Sequence, residues 1–330
     1  MDTDRTILRL GTGVILFALL LQLFGGKVHW KPEREDLIRG LVFLQTGRVA
    51  EKAEPEPMPT EPAPETVAVT EPPRPPVRPA LLTEADGERV SVQNLTGYGI
   101  SVAEMLGRPR KWELRQDSPT VLILHTHGTE SYRNTEGYTA SSAYRTEDAD
   151  YNMISVGAHL TRCLEAGGIR VIHDRTPYDQ PSYSGSYSLA REAVITALAD
   201  NPSLCLVLDL HRDAMTGSDG EQLAYTCTLP EGTAAKLMLV AGSDAGGLSY
   251  PNWQDNLTLA VQLQAVLERQ NPGLCRSLSF RTGRYNQDLF PNMLLVEVGA
   301  AGNTRGEALL AAEKLAEAIL EMASGTEYAQ

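Results

Sequence analysis

Between Val121 and Tyr132 an apolar run, Val121 to Leu124, stops abruptly at His125, Thr126 and His127, with Glu130 and Ser131 just beyond. Imidazole and carboxylate groups at the end of a buried strand are costly to desolvate unless something engages them. A bound metal ion is the commonest such partner. His127 and Glu130 have His-x-x-Glu spacing, so one short loop can offer a nitrogen and an oxygen to a single ion. A second histidine, His211, follows the apolar run 203–210 in the order Leu208-Asp209-Leu210-His211-Arg212-Asp213. Glu297 breaks a third run, between Met293 and Val298.

A catalytic zinc takes three protein ligands and keeps a fourth position open. Neutral imidazoles with one carboxylate suit that ion. His127 and His211 are the strongest ligand candidates and Glu130 is the choice for the third; Glu147 and Asp150, in the acidic stretch 147–150, are its rivals. Bound zinc brings the pKa of its water to about 7, and a neighbouring carboxylate can take that proton and pass it to a leaving amine. Glu297 fits this role, because Leu294, Leu295, Val296 and Val298 would desolvate it and raise its pKa. The bland alternative is a set of satisfied core histidines. It weakens when two histidines and a glutamate each end or break a separate buried run.

Other polar groups are less specific. His125 is expected to line the site or give a supporting hydrogen bond rather than to ligate. Arg212 could bind a carboxylate or polarise a carbonyl, or simply pair with Asp209 or Asp213. The run Tyr285-Asn286-Gln287-Asp288 is a substrate loop contacting through Asn286 and Gln287, or a plain turn. Tyr178, Tyr183 and Tyr187 offer a stacking surface, or ordinary packing. His159 and His173 read as helix-surface and strand-end positions without partners.

These groups need elements to hold them. Strands are expected at 90–94, 120–124, 169–173, 203–210, 236–241 and 293–298. Helices are expected at 153–165, 188–199, 254–269 and 304–322, with a helical turn at 102–106. Strands alternating with helices imply an α/β fold, a mainly parallel sheet with helices on both faces. In such a sheet the strand C-termini gather at one edge, where ligands bind.

The rest of the chain is not globular in character. Residues 1–50 carry an apolar run from Leu10 to Phe24, preceded by Arg5 and Arg9; counted from Ile7 it is 18 residues long, enough to span a thin bilayer. No good small-x-small site follows Phe24, so an uncleaved anchor is expected rather than a signal peptide, with the N-terminus in the cytoplasm. Residues 51–80 hold ten of the twenty prolines, mixed with Glu, Thr and Ala. Such a stretch is an extended spacer. The catalytic domain then occupies 81–330. A net charge of −13 argues against a nucleic-acid partner. The four cysteines include no C-x-x-C pair; whether Cys227 and Cys275 form a disulfide is left open by the sequence.

The set H-T-H-x-T-E-S-Y, V-G-x-x-L with G-I-x-V-I-H-D, D-L-H-R-D-A, Y-N-Q-D-L and L-L-V-E-V-G with a following Asn-Thr resembles the stage II sporulation protein P family. The resemblance runs in order from about Thr120 to the C-terminal helix, and the anchor and spacer agree with it. It implies a membrane-anchored zinc-dependent N-acetylmuramoyl-L-alanine amidase with a second, endopeptidase activity on peptidoglycan cross-links. It implies the fold of the bacterial zinc amidases. It also implies work in forespore engulfment with stage II sporulation proteins D and M, from the cytoplasmic membrane, in the space between mother cell and forespore. By motif, His127 and His211 match metal positions and Glu297 the catalytic glutamate; the third ligand stays open, since the broader amidase fold takes a glutamate further downstream. A zinc carboxypeptidase on stem peptides and an inactive wall-binding scaffold are the alternatives.

Overall fold

Alternation of side chains along each strand decides which groups meet. The computed structural model describes residues 82–110, 112–135 and 137–324; the expected anchor at 1–50 and spacer at 51–80 lie outside them. Among the described residues no helix is long and apolar enough to cross a membrane.

The strands are β1 (Val92–Asn94), β2 (Val121–Leu124), β3 (Val171–His173), β4 (Leu206–Asp213), β5 (Thr226–Leu229), β6 (Gly232–Ala235), β7 (Leu237–Ala241), β8 (Leu278–Phe280) and β9 (Met293–Ala300). Seven of them form one sheet in the order β1-β8-β7-β9-β4-β2-β3, while β5 and β6 make a separate hairpin. Every pairing in the large sheet is parallel except β7 with β9. The helices are α1 (Glu84–Gly87), α2 (Val102–Leu106), α3 (Met153–Ala166), α4 (Ser186–Asp200), α5 (Trp253–Gln270) and α6 (Arg305–Ser324), with a 3-10 turn at Gln287–Leu289. This is the α/β, mainly parallel architecture read from the sequence. The hairpin β5–β6, the short β8 and α1 were not foreseen.

One face of the sheet presents Val121, Ile123, Leu206, Leu208, Leu210, Leu294, Val296 and Val298 to α3, α5 and α6. The opposite face presents Leu122, Leu124, Val207 and Met293 to Ala190 and Val194 of α4. By the same alternation Asp209 and His211 of β4, and Glu297 of β9, fall on the α4 side, where Met238, Val240 and Leu295 form a small apolar cluster beside Glu297. The strands β2, β4 and β9 are adjacent and parallel, and His211 is paired in register with Glu297. Strand β4 continues through Asp213, so His211 lies within the strand rather than beyond its end.

Two glycines show how tightly this frame is built. Gly299 has φ +73, and a Cβ there would stand 2.8 Å from both Ala235 Cβ and Asn303 Oδ1. Asn303 is buried; its Oδ1 accepts from Ala300 N at 2.9 Å and its Nδ2 donates to Glu307 Oε2 at 2.8 Å, tying the end of β9 to the start of α6. Gly157 sits inside α3, where glycine costs roughly 1 kcal/mol against alanine. A Cβ there would lie 2.4 Å from His125 Nε2 and 2.7 Å from His173 Nε2. The helix gives up propensity to make room for two imidazoles. All four cysteines are free thiols.

Gly157→Ala should therefore destabilise the domain by about 1–3 kcal/mol, the usual cost of overpacking, despite alanine's better helix propensity. Urea unfolding of the two proteins checks this; an equal or higher midpoint for the alanine variant would mean the imidazoles are not held in place by that gap.

Candidate active site

The loop after β2 carries His127 and Glu130 over the ends of β2 and β4. His127 is 5% exposed, and its Nδ1 lies 3.3 Å from Ser186 Oγ at the start of α4. Its ring is stacked on Tyr183 at 4.2 Å, and Tyr187 meets it edge-on at 5.6 Å. The ring of His211 stands perpendicular to it, with centroids 5.2 Å apart. Glu130 is also buried. Its Oε2 accepts from Arg212 N at 3.2 Å and lies 3.7 Å from His211 Nδ1, and its Oε1 is 3.4 Å from Arg145 Nη2. The rivals Glu147 and Asp150 are exposed to solvent.

Asp209 connects the two histidine motifs. It accepts from Thr126 N at 2.8 Å and from Thr126 Oγ1 at 2.6 Å, and its Oδ1 lies 3.0 Å from His211 Nε2. The buried Glu297 Oε2 has no hydrogen-bond partner among the described residues. Burial pushes the Glu297 carboxyl up to about 8, with the Glu130 and Asp213 charges adding and His211 opposing. Burial alone would lower His211, but Asp209, Glu130 and Glu297 outweigh it and raise it to about 9. Burial, with His211 and Arg145 nearby, lowers His127 to about 4. The site thus keeps His127 neutral and concentrates negative charge around His211, as a cation site requires.

Do the residues fit zinc? At ordinary zinc–ligand distances, two imidazoles on one tetrahedral ion have centroids about 5 Å apart, and a nitrogen and an oxygen ligand stand about 3.4 Å apart. The His127–His211 and His211–Glu130 separations match both figures closely. The donors are gathered rather than closed: among the described residues no group of three or more His, Cys, Asp or Glu side chains is tight enough to hold an ion. Arginine contacts on Glu130 Oε1 and the serine on His127 Nδ1 hold these side chains in the meantime.

Other expectations are corrected. His125 points away from this cluster: its Nδ1 is 3.2 Å from the Leu210 carbonyl and its Nε2 2.9 Å from His173 Nε2. The carbonyl can only accept, so His125 carries its proton on Nδ1 and His173 donates to its Nε2. His173 therefore has a partner. Arg212 pairs with neither Asp209 nor Asp213; it is buried, donating from Nε to Ser131 O at 2.9 Å and from Nη2 to Tyr144 O at 2.7 Å. It holds the 130–145 segment and has no face left for substrate. Gln287 is fully buried, bonded to Gly242 N and Val240 O at 2.8 Å each, because it joins the end of β7 to the 3-10 turn. Asn286 lies at the rim and donates to Tyr187 O at 2.8 Å. Tyr178 is buried with its hydroxyl on Asp174, and only Tyr183 of the three tyrosines is largely exposed.

Several contributors escaped the sequence reading. Asp209 could have been found, since it lies two residues before His211 and so shares its face. Arg145 and Asp179 could not. They come from separate loops, pair at 2.6 Å, and Asp179 also accepts from Thr129 Oγ1 at 2.5 Å. Arg145 lies over the Tyr183 ring at 4.5 Å, so the two loops clamp the His127–Glu130 turn together.

A family model described as stage II sporulation protein P matches residues 46–320. The stage II sporulation protein P of Bacillus subtilis (strain 168) is 31% identical over 218 residues, covering 62% of this chain and 51% of that protein. The chain spans about half the length of this relative. Among solved structures, N-acetylmuramoyl-L-alanine amidase AmiC2 of Nostoc punctiforme aligns with TM-score 0.35 and 14% identity, over 63% of this chain and 94% of that one. An N-acetylmuramoyl-L-alanine amidase from Clostridium difficile 630 aligns with TM-score 0.37 and 15% identity, over 63% and 95%. Ami1 from Mycobacterium smegmatis gives 0.37 and 15%, over 64% and 99%.

The His125–His173 pair makes stability depend on pH. Burial holds His125 at about 3; His173 is held at about 4 by burial, with Arg175 adding. Both lie below the unfolded value of about 6.5. The unfolded chain binds protons first, so the pair's contribution is complete above about 6.5 and is lost as pH falls toward 4. The unfolding free energy from urea titrations between pH 7 and 4.5 should decline by about 1 kcal/mol per pH unit for each ring, and His173→Gln should flatten the slope. A slope unchanged in that variant would remove His173 from the pair's titration.

Proposed function

The chain belongs to the stage II sporulation protein P family, and from that premise we propose that it is a zinc-dependent peptidoglycan hydrolase. The bond cut is the N-acetylmuramoyl-L-alanine amide, with endopeptidase action on cross-links at the same site. The observation that supports this reading is the gathering of His127, His211, Glu130 and Glu297 at one edge of three adjacent parallel strands, with the two imidazole rings 5.2 Å apart and His211 Nδ1 3.7 Å from Glu130 Oε2. Residues 1–50 anchor the chain in the cytoplasmic membrane and 51–80 extend the domain toward the wall between mother cell and forespore, where stage II sporulation proteins D and M are its partners in engulfment.

His127, His211 and Glu130 would hold the ion; His211 Nδ1 lies 3.7 Å from Glu130 Oε2, and its buried Nε2, 3.0 Å from Asp209 Oδ1, makes no hydrogen bond among the described residues. Zinc supplies a Lewis acid for the scissile carbonyl and lowers the pKa of water. Glu297 Oε2, buried and unpartnered, takes the proton from the attacking water and delivers it to the amide nitrogen as the C–N bond breaks. Arg145 and Arg212 fix the Glu130 carboxylate. Tyr183 and Tyr187 shield His127 from bulk water.

Glu297→Gln should retain zinc and bind wall fragments while turnover falls at least about 100-fold. Chelation should abolish wild-type turnover and zinc should restore it, with free lactyl groups and intact peptides as products. Turnover that survives both treatments would remove the metal and Glu297 from the reaction.

A further inference from the structure

Two consecutive residues other than glycine hold left-handed backbone beside the site: Tyr285 at φ 51 and Asn286 at φ 59. Such conformations cost of order 1 kcal/mol or more each and persist where surrounding structure demands them. Here the demand is visible. The Asn286 side chain is tied to Tyr187 O, and the Tyr285 ring packs against Met238, Val240 and Leu295 on the α4 side of the sheet. Tyr285 faces Tyr187 at 6.2 Å, and Tyr187 faces His211 at 6.4 Å. The strained turn is thus two rings from the candidate ligand, within the reach of about four extended peptide residues.

On the far side of this turn, two guanidinium groups share one carboxylate. Arg191 of α4 grips Asp288 in bidentate fashion at 2.8 and 2.9 Å, and touches Asn286 Oδ1 at 3.5 Å. Arg284 reaches the same Asp288 at 3.2 Å and Ser249 O at 3.4 Å, both from Nη1. Asp288 is 8% exposed, while Arg191 and Arg284 are 32% and 31% exposed, so both guanidinium groups face solvent. Glu192, the next residue along α4, is exposed and adds its charge beside Arg191. A guanidinium carries five donors in a planar fork that matches a carboxylate, and Arg284 donates to Asp288 and Ser249 O from Nη1 alone.

We propose that Arg284 and Arg191, braced by Asp288 and presented by the Tyr285–Asn286 turn, form a subsite for a carboxylate on the peptide arm of the substrate. This rests on the reading of the site as one that acts on wall peptides. The subsite selects substrates whose peptide carries a free carboxylate several residues from the scissile amide and discriminates against the amidated form.

The test is calorimetric binding to the whole chain carrying Glu297→Gln, with and without chelator, of a soluble muramyl peptide with free carboxylates and of its amidated counterpart. The free form should bind roughly tenfold more tightly. Arg284→Gln should erase that preference, and Arg284→Lys should restore part of it. Asp288→Asn, which frees both arginines, should widen it and carries the test if Arg284→Gln does not fold. Equal binding of the two forms, or a preference indifferent to Arg284→Gln or unwidened by Asp288→Asn, overturns the subsite. Because binding needs neither metal nor turnover, a retained preference with zinc-independent turnover would sink the hydrolase reading alone. A lost preference with zinc-dependent turnover would sink the subsite alone.

Discussion

The structure turns on a conflict of charge around His211. Three carboxylates, Asp209 and Glu130 buried and Glu297 half-buried, converge on one imidazole, and each is held there by something other than His211. Asp209 is fixed by two donors from Thr126, Glu130 by Arg212 and Arg145, and Glu297 by its register in β9. Buried like charges at such spacing cannot all be ionised at low cost. Protons relieve the conflict in one way, with Glu297 and His211 both raised. A divalent cation relieves it in another, by replacing a proton with two positive charges. The parallel order β9-β4-β2 creates the conflict, and the scaffold on both faces exists to withstand it.

Much of this was legible in the sequence because strands report their faces. Runs such as Val121–Leu124 and Leu206–Leu210 have no polar residue except Asp209, so the polar residues that interrupt or follow them stand out. That is why His127, His211 and Glu297 could be picked out, and why a mainly parallel α/β sheet followed from the alternation of elements. What could not be read were the choices made by side chains with several donors. Arg212 had two acidic neighbours in sequence, yet it turns to the Ser131 and Tyr144 carbonyls, across the bridge in which Ser131 N donates to Tyr144 O. Gln287 looked free in a polar run but is buried between two backbone groups. Short elements were missed for a related reason: β8 has three residues and takes its stability from β7 and β1 on either side, not from its own pattern.

His125 shows how a motif can mislead. His125 and His127 are two residues apart, a spacing that would put both on one side of an extended strand, and the turn after β2 sends them apart. His127 goes to Ser186, Tyr183 and His211; His125 goes through the sheet to His173 and Gly157. The second imidazole anchors α3 to the back of the same loop that carries the first. Thr126 between them grips Asp209. One tripeptide thus locks the loop to a helix, to the neighbouring strand and to the site at once.

This locking explains why the donors can wait in nearly the right places. A site assembled only by its ion would have to order several loops at the moment of binding, and the ordering entropy would weaken the grip. Here the loop bearing Arg145 and the loop bearing Asp179 and Tyr183 are clamped to each other across Thr129. The cost of ordering is therefore met during folding, by contacts that do not involve the ion. On the zinc reading proposed above, an ion would meet side chains whose directions Arg145, Arg212, Ser186 and Asp209 already limit. Such an arrangement would favour geometry over maximal affinity, as a catalytic site with one open coordination position needs.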